Sequence, residues 1–103
     1  MNNQDLDIVK DLIGKFKKFI NQSIDENDKV KEENKRNIKY LINQFVNEDD
    51  PHGFKSFIKE IVRHNEDQME SYFQIDKSKF DDNKREEFYR FIELFKEIYQ
   101  LDQ

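Results

Sequence analysis

Apolar residues recur along the chain in steps of three and four, and polar breaks divide the pattern into four segments. The first, from about Asp5 to Gln22, carries Leu6, Val9, Ile13, Phe16 and Ile20, with Leu12 and Phe19 widening the stripe. A helix of 3.6 residues per turn gathers these positions on one side, so the segment is predicted to be a helix facing a core. The second, from about Asp28 to Asn47, repeats the spacing with Val30, Ile38, Leu41, Ile42, Phe45 and Val46. Asn34 takes the seam position between Val30 and Ile38, where a polar residue fixes register or marks a frayed first turn.

The clearest interruption is Asn47-Glu48-Asp49-Asp50-Pro51-His52-Gly53. Asp50 can cap the next helix, and Pro51 suits its first turn, where no amide donor is needed. His52 reads as part of the same capped turn. The third segment runs from about Pro51 to Phe73 through Phe54, Phe57, Ile58, Ile61, Val62, Met69, Tyr72 and Phe73. Its polar middle, Arg63 to Gln68, leaves room for a kink near Asn65, and one long helix is the favoured reading. Asp76 to Lys79 connects it to the fourth segment, about Asp82 to Leu101, with Ser78 or Asp81 as the candidate cap.

A short pattern appears in all four segments: Phe16-x-x-Phe19-Ile20, Ile38-x-x-Leu41-Ile42, Phe54-x-x-Phe57-Ile58 and Phe88-x-x-Phe91-Ile92. Unequal spacing between the copies argues against a solenoid. No segment alternates with period two, and neither Asn-Gly nor Asp-Gly occurs, so hairpins are not signalled. The expected fold is all-α: one compact bundle of about four amphipathic helices over residues 1–103, without significant sheet. Phe16, Phe45, Ile61 and Phe95 are expected to share its interior.

Composition changes this picture in one respect. Charged residues make up 40% of the 103 positions and apolar ones 35%, a balance that would suit disorder if the apolar residues were scattered. They are not, and ten of them are Phe, whose rings bury far more area than Val or Ala. Cysteine is absent, which excludes disulfides, thiolate metal sites and cysteine nucleophiles. No apolar run reaches the roughly 18 residues of a membrane span, and the polar start does not read as a signal peptide, so a cytoplasmic location is expected.

The segments differ in how far their apolar residues reach around the helix. The arc is about 160° in the first and third and similar in the second, where Tyr40 falls outside it, but roughly 240° in the fourth. Either the fourth helix is the most enclosed of an irregular bundle, or part of its face meets a partner or a second copy of the chain. Phe91, Leu94, Ile98 and Leu101 are the candidate partner-binding residues, with Leu94 and Leu101 the first to mutate.

Candidate chemistry is sparse. Glu60, His64 and Asp67 share a helical face that could hold a metal, but Glu-x-x-His occurs nowhere, and solvated helix charge is the simpler account. An EF-hand loop starting at Asp76 fails because Phe80 takes a ligand position and Asp81 that of the turn glycine. With only Gly14 and Gly53, phosphate loops are excluded, and no serine sits in a Gly-x-Ser-x-Gly turn. Carboxylate pairs such as Glu32-Glu33 and Glu86-Glu87 lack apolar walls to raise a pKa. No metal, cofactor or enzymatic activity is expected.

A net charge of −5 disfavours general nucleic-acid binding. Lys10, Lys15, Lys17 and Lys18 still form a basic cluster beside Phe16 and Phe19, and acidic groups at Asp25 to Asp28, Glu48 to Asp50, Glu66 to Glu70 and Asp81 to Glu87 could imitate a phosphate backbone. The leading expectation is a non-enzymatic module that binds a protein partner, of the size and class used by inhibitors, immunity proteins and phage or mobile-element accessory factors. The alternative is nucleic-acid association, through the lysine face or as an acidic DNA mimic.

Overall fold

The apolar stripes read from the sequence are for the most part buried between helices. A computed structural model describes residues 3–63 and 66–101, with side chains over 6–61 and 69–100. Within them lie α1 (Asn3–Asp25), α2 (Glu32–Phe45), α3 (Pro51–Arg63), α4 (Glu66–Phe73), one 3-10 turn (Lys77–Lys79) and α5 (Asp82–Leu101). The all-α bundle expected from periodicity is the fold observed, and no strand occurs among the described residues.

Asp50 and Asp81 act as caps. The Gly53 amide donates to Asp50 Oδ1 at 3.0 Å, and the Lys84 amide donates to Asp81 Oδ1 at 2.7 Å. In each case the carboxylate satisfies a first-turn amide and sits at the positive end of the helix. Asp81→Ala is expected to lower stability by about 1 kcal/mol, measured as a shift in denaturation midpoint with unchanged slope.

The long helix expected between Pro51 and Phe73 is instead two, α3 and α4. The ring of Phe57 lies 5.8 Å from that of Phe73 and 5.7 Å from that of Tyr72. Sixteen residues of continuous helix would hold Phe57 and Phe73 about 24 Å apart. The chain therefore folds α4 back against α3, which delivers Met69 and Phe73 to the core. The expected kink position, Asn65, lies outside the described residues. α4 closes with Gln74 at φ 56°, and the Ile75 amide reaches the Glu70 carbonyl at 3.1 Å, a left-handed cap that uses no glycine.

The second segment also departs from expectation. Its helix begins at Glu32, leaving Val30 in the connection that precedes it. That connection is built by Asn27, whose Oδ1 accepts from the Lys29 amide at 3.1 Å and whose Nδ2 donates to the Gln74 carbonyl at 2.8 Å. Asn27 thereby ties the α1–α2 loop to the α4–α5 loop. Asp76 reinforces the junction: buried, it accepts from the Ser78 amide (3.1 Å) and hydroxyl (2.6 Å) and lies 3.5 Å from Lys29 Nζ.

The Ser78 hydroxyl, more than any other group, holds the Asp76 carboxyl below its usual pKa; burial opposes it, and the Ser78 amide and Lys29 add to it. A folded-state pKa below the unfolded one contributes stability that is present above the unfolded value, about 3.9 for Asp, and is lost as pH falls through the folded one. Asp76→Asn is therefore expected to flatten the loss of thermal midpoint below about pH 4. An unchanged acid limb in that variant would exclude Asp76 as a contributor.

The core is organised around Phe16, which is fully buried. Its ring centroid lies 6.5 Å from that of Phe54 on α3, 5.5 Å from Phe73 on α4, and 5.1 and 4.7 Å from Phe91 and Phe95 on α5. Three of these contacts are edge-on, the arrangement that aromatic quadrupoles favour. Phe19 extends the cluster towards Phe80 and Phe88. Phe16, Ile61 and Phe95 share the interior as expected, whereas Phe45 does not: about half of it is exposed.

Candidate functional site

The misplacement of Phe45 follows from how α2 is attached. Three polar side chains clamp it to α1. Lys35 is buried and donates through Nζ to the Asp25 carbonyl at the end of α1, at 2.7 Å. Lys39 Nζ reaches the Asp25 carboxylate at 2.7 Å, and Asn43 accepts from Asn21 Nδ2 at 3.0 Å. At 100° per residue, Lys35, Lys39 and Asn43 flank Ile42 and Val46 on one side of the helix, and those two apolar residues are buried. The neighbouring stripe, Asn34, Ile38, Leu41 and Phe45, is rolled outward.

That roll leaves apolar area uncovered. Leu41 is 57% exposed and Phe45 51%, although both were expected on the core side. Tyr72 on α4, expected in the same role, is 55% exposed. The Phe45 ring stacks on that of Phe57 at 5.2 Å with 14° between planes, and Phe57 in turn meets Tyr72. The result is a groove of about 250 Å³ between α2 and α4, floored by Ile42 and Phe57 and walled by Ile38, Leu41, Phe45 and Tyr72. None of its lining residues carries a charge, in a chain where 40% of residues do.

The residues singled out on the fourth helix are distributed otherwise. Phe91 and Ile98 are buried in the core, so most of the wide α5 arc is taken up by the other helices. Leu94 is only partly buried; it packs on the core and lines a second groove, of about 300 Å³, with Leu12, Phe91 and the exposed Ile8. Asp11, Lys15, Glu87 and Arg90 rim this groove with charges of both signs. The Leu101 side chain lies outside the described residues.

The remaining candidates are placed as follows. Of the lysine cluster, Lys15 pairs with Asp11 at 2.9 Å, and the adjacent Phe16 and Phe19 point into the core. Among the described residues no exposed ring lies in sequence between those lysines. For the metal face, the side chains of His64 and Asp67 lie outside the described residues. Among the described residues no three metal-ligating side chains converge, and none of the helices is long and apolar enough to cross a membrane. Asp76 and Ser78, the first positions of the rejected calcium loop, bond to each other.

Sequence periodicity did not reveal the α2–α4 groove, because it assigns every apolar stripe to the core. One signal was present: Lys35, Lys39 and Asn43 recur at helical spacing beside Ile42, a polar row able to bond to a neighbouring helix. Comparison with protein-family models, curated proteins and solved structures gives no match.

Proposed function

We propose that the protein acts by binding another protein chain without catalysing a reaction, and that the α2–α4 groove is the contact surface. The supporting observation is the cluster of Leu41, Phe45 and Tyr72, each more than half exposed, around a charge-free groove. Half-exposed side chains of this size leave roughly 100 Å² each, so the three present about 300 Å², the size at which the largest patch on a small protein is often functional. A groove between two helices also suits the apolar face of a partner helix, whose residues at every third or fourth position would enter it. The α1–α5 groove, rimmed by charges of both signs, is the lesser surface. An inhibitor, immunity protein or mobile-element accessory factor would act in this way, by occupying its target.

The test is capture from the native host with the wild-type chain and with Leu41→Glu/Tyr72→Glu. Both substitutions fall on exposed positions and are expected to leave far-UV helicity unchanged. A protein recovered with the wild type should be lost with the variant. Equal recovery from both would overturn the reading.

A further inference from the structure

We infer that the occupant of the α2–α4 groove is a second copy of this chain, in a weak two-fold dimer with α2 packed antiparallel on its counterpart. The inference rests on the reading of that groove as a contact surface. Three features of the surface point to self-association.

The first is charge. A two-fold axis brings a patch against itself, so any net charge on it is repelled by its own image. Two chains of net charge −5 repel at most orientations. On α2, however, the outward stripe and its flank, Asn34, Asn37, Ile38, Leu41, Gln44 and Phe45, contain no ionisable group. Tyr72 and Gln74 continue this neutral surface across the groove. A copy can approach there without meeting like charge.

The second is shape. Leu41 and Phe45 belong both to the ridge that α2 raises above the surface and to the wall of the groove beside it. Rotation by a two-fold axis therefore sets each ridge into the other copy's groove. The third is spacing. Asn34, Ile38, Leu41 and Phe45 follow in steps of four, three and four, the seam spacing of a left-handed helix pair. The exposed apolar area of about 300 Å² per copy falls below the roughly 500 Å² of apolar surface that each partner of a stable complex buries, so the dimer exchanges rapidly, with Kd of about 10 μM to 1 mM.

Sedimentation of the purified 103-residue chain from about 10 μM to about 2 mM tests this. The average mass should climb from one chain towards two. Because the interface is neutral and the copies are both acidic, raising NaCl from about 50 to about 500 mM should strengthen association. Leu41→Glu places two carboxylates at the two-fold and should weaken it at least about 100-fold with helicity retained. Ile8→Glu, on the α1–α5 groove, should leave it unchanged.

A wild-type chain that stays monomeric throughout overturns the inference. So do association lost in Ile8→Glu, association kept in Leu41→Glu, and association that weakens with salt. An apolar fluorescent dye separates this failure from failure of the surface itself. Dye bound by a monomeric wild type but not by Leu41→Glu leaves the groove as a binding surface for another protein, whereas no dye binding removes both readings.

Discussion

Phe16→Ala is expected to lower the unfolding free energy by about 3–5 kcal/mol, a large share of the roughly 5–15 kcal/mol that holds a domain of this size together. The ring is fully buried and stands between α1 and three other helices, through Phe54, Phe73, Phe91 and Phe95. Removing it forfeits the transfer free energy of a whole aromatic side chain and leaves a void that four rings on three separate helices cannot close together. Edge-on ring contacts add about 0.5–1.5 kcal/mol apiece in favourable cases. Phe16→Leu keeps most of the volume and is expected to cost about 1–2 kcal/mol. Urea titration followed by far-UV circular dichroism gives both values. A loss below about 1 kcal/mol for Phe16→Ala would mean that the ring is not the centre of the core.

How much of this was legible beforehand is best seen in the four copies of the apolar-x-x-apolar-apolar pattern. In α1, α3 and α5 every apolar member of the copy is buried: Phe16, Phe19 and Ile20; Phe54, Phe57 and Ile58; Phe88, Phe91 and Ile92. In α2 only Ile42 is, while Ile38 is partly covered and Leu41 faces out. The same local spelling thus gives two outcomes. Periodicity fixes which residues share a face, not which face a neighbouring helix takes, and on α2 that choice was made by hydrogen bonds across 10, 14 and 22 residues of sequence.

The division of the third segment was obscured for a similar reason. Met69, Tyr72 and Phe73 continue the helical spacing of Ile58 and Ile61 closely enough to read as one helix, and it is the contacts of Phe57 with Tyr72 and Phe73 that show the reversal. By contrast, the start of α3 was readable to the residue and that of α5 to one of two candidates, Ser78 or Asp81, of which Asp81 is the cap, because a cap is a local event between a side chain and an amide three positions on. The breadth of the α5 arc was also readable, but its meaning depended on how many helices surround it.

If polar bonds roll α2, then the buried Lys35 is the residue to remove. Lys35→Ala deletes three buried methylenes, worth about 2.4 kcal/mol at about 0.8 each, and a charge-assisted bond of about 1.5–3 kcal/mol to the Asp25 carbonyl. Against these stand about 2 kcal/mol of side-chain freedom no longer lost and the ammonium desolvation no longer required. The expected net destabilisation is about 2–3 kcal/mol. Lys35→Met keeps the stem and drops only the ammonium, so it is expected to cost about 1 kcal/mol or less, since well-packed apolar replacements of buried charges are often close to neutral. Equal losses for Met and Ala would assign the effect to the bond rather than the stem. The two variants should also differ from wild type at the surface: without the bond to α1, α2 is free to turn its apolar stripe inward, and binding of an apolar dye to the α2–α4 groove should fall. Unchanged stability and unchanged dye binding in both variants would show that Lys35 does not hold α2 in its rolled position.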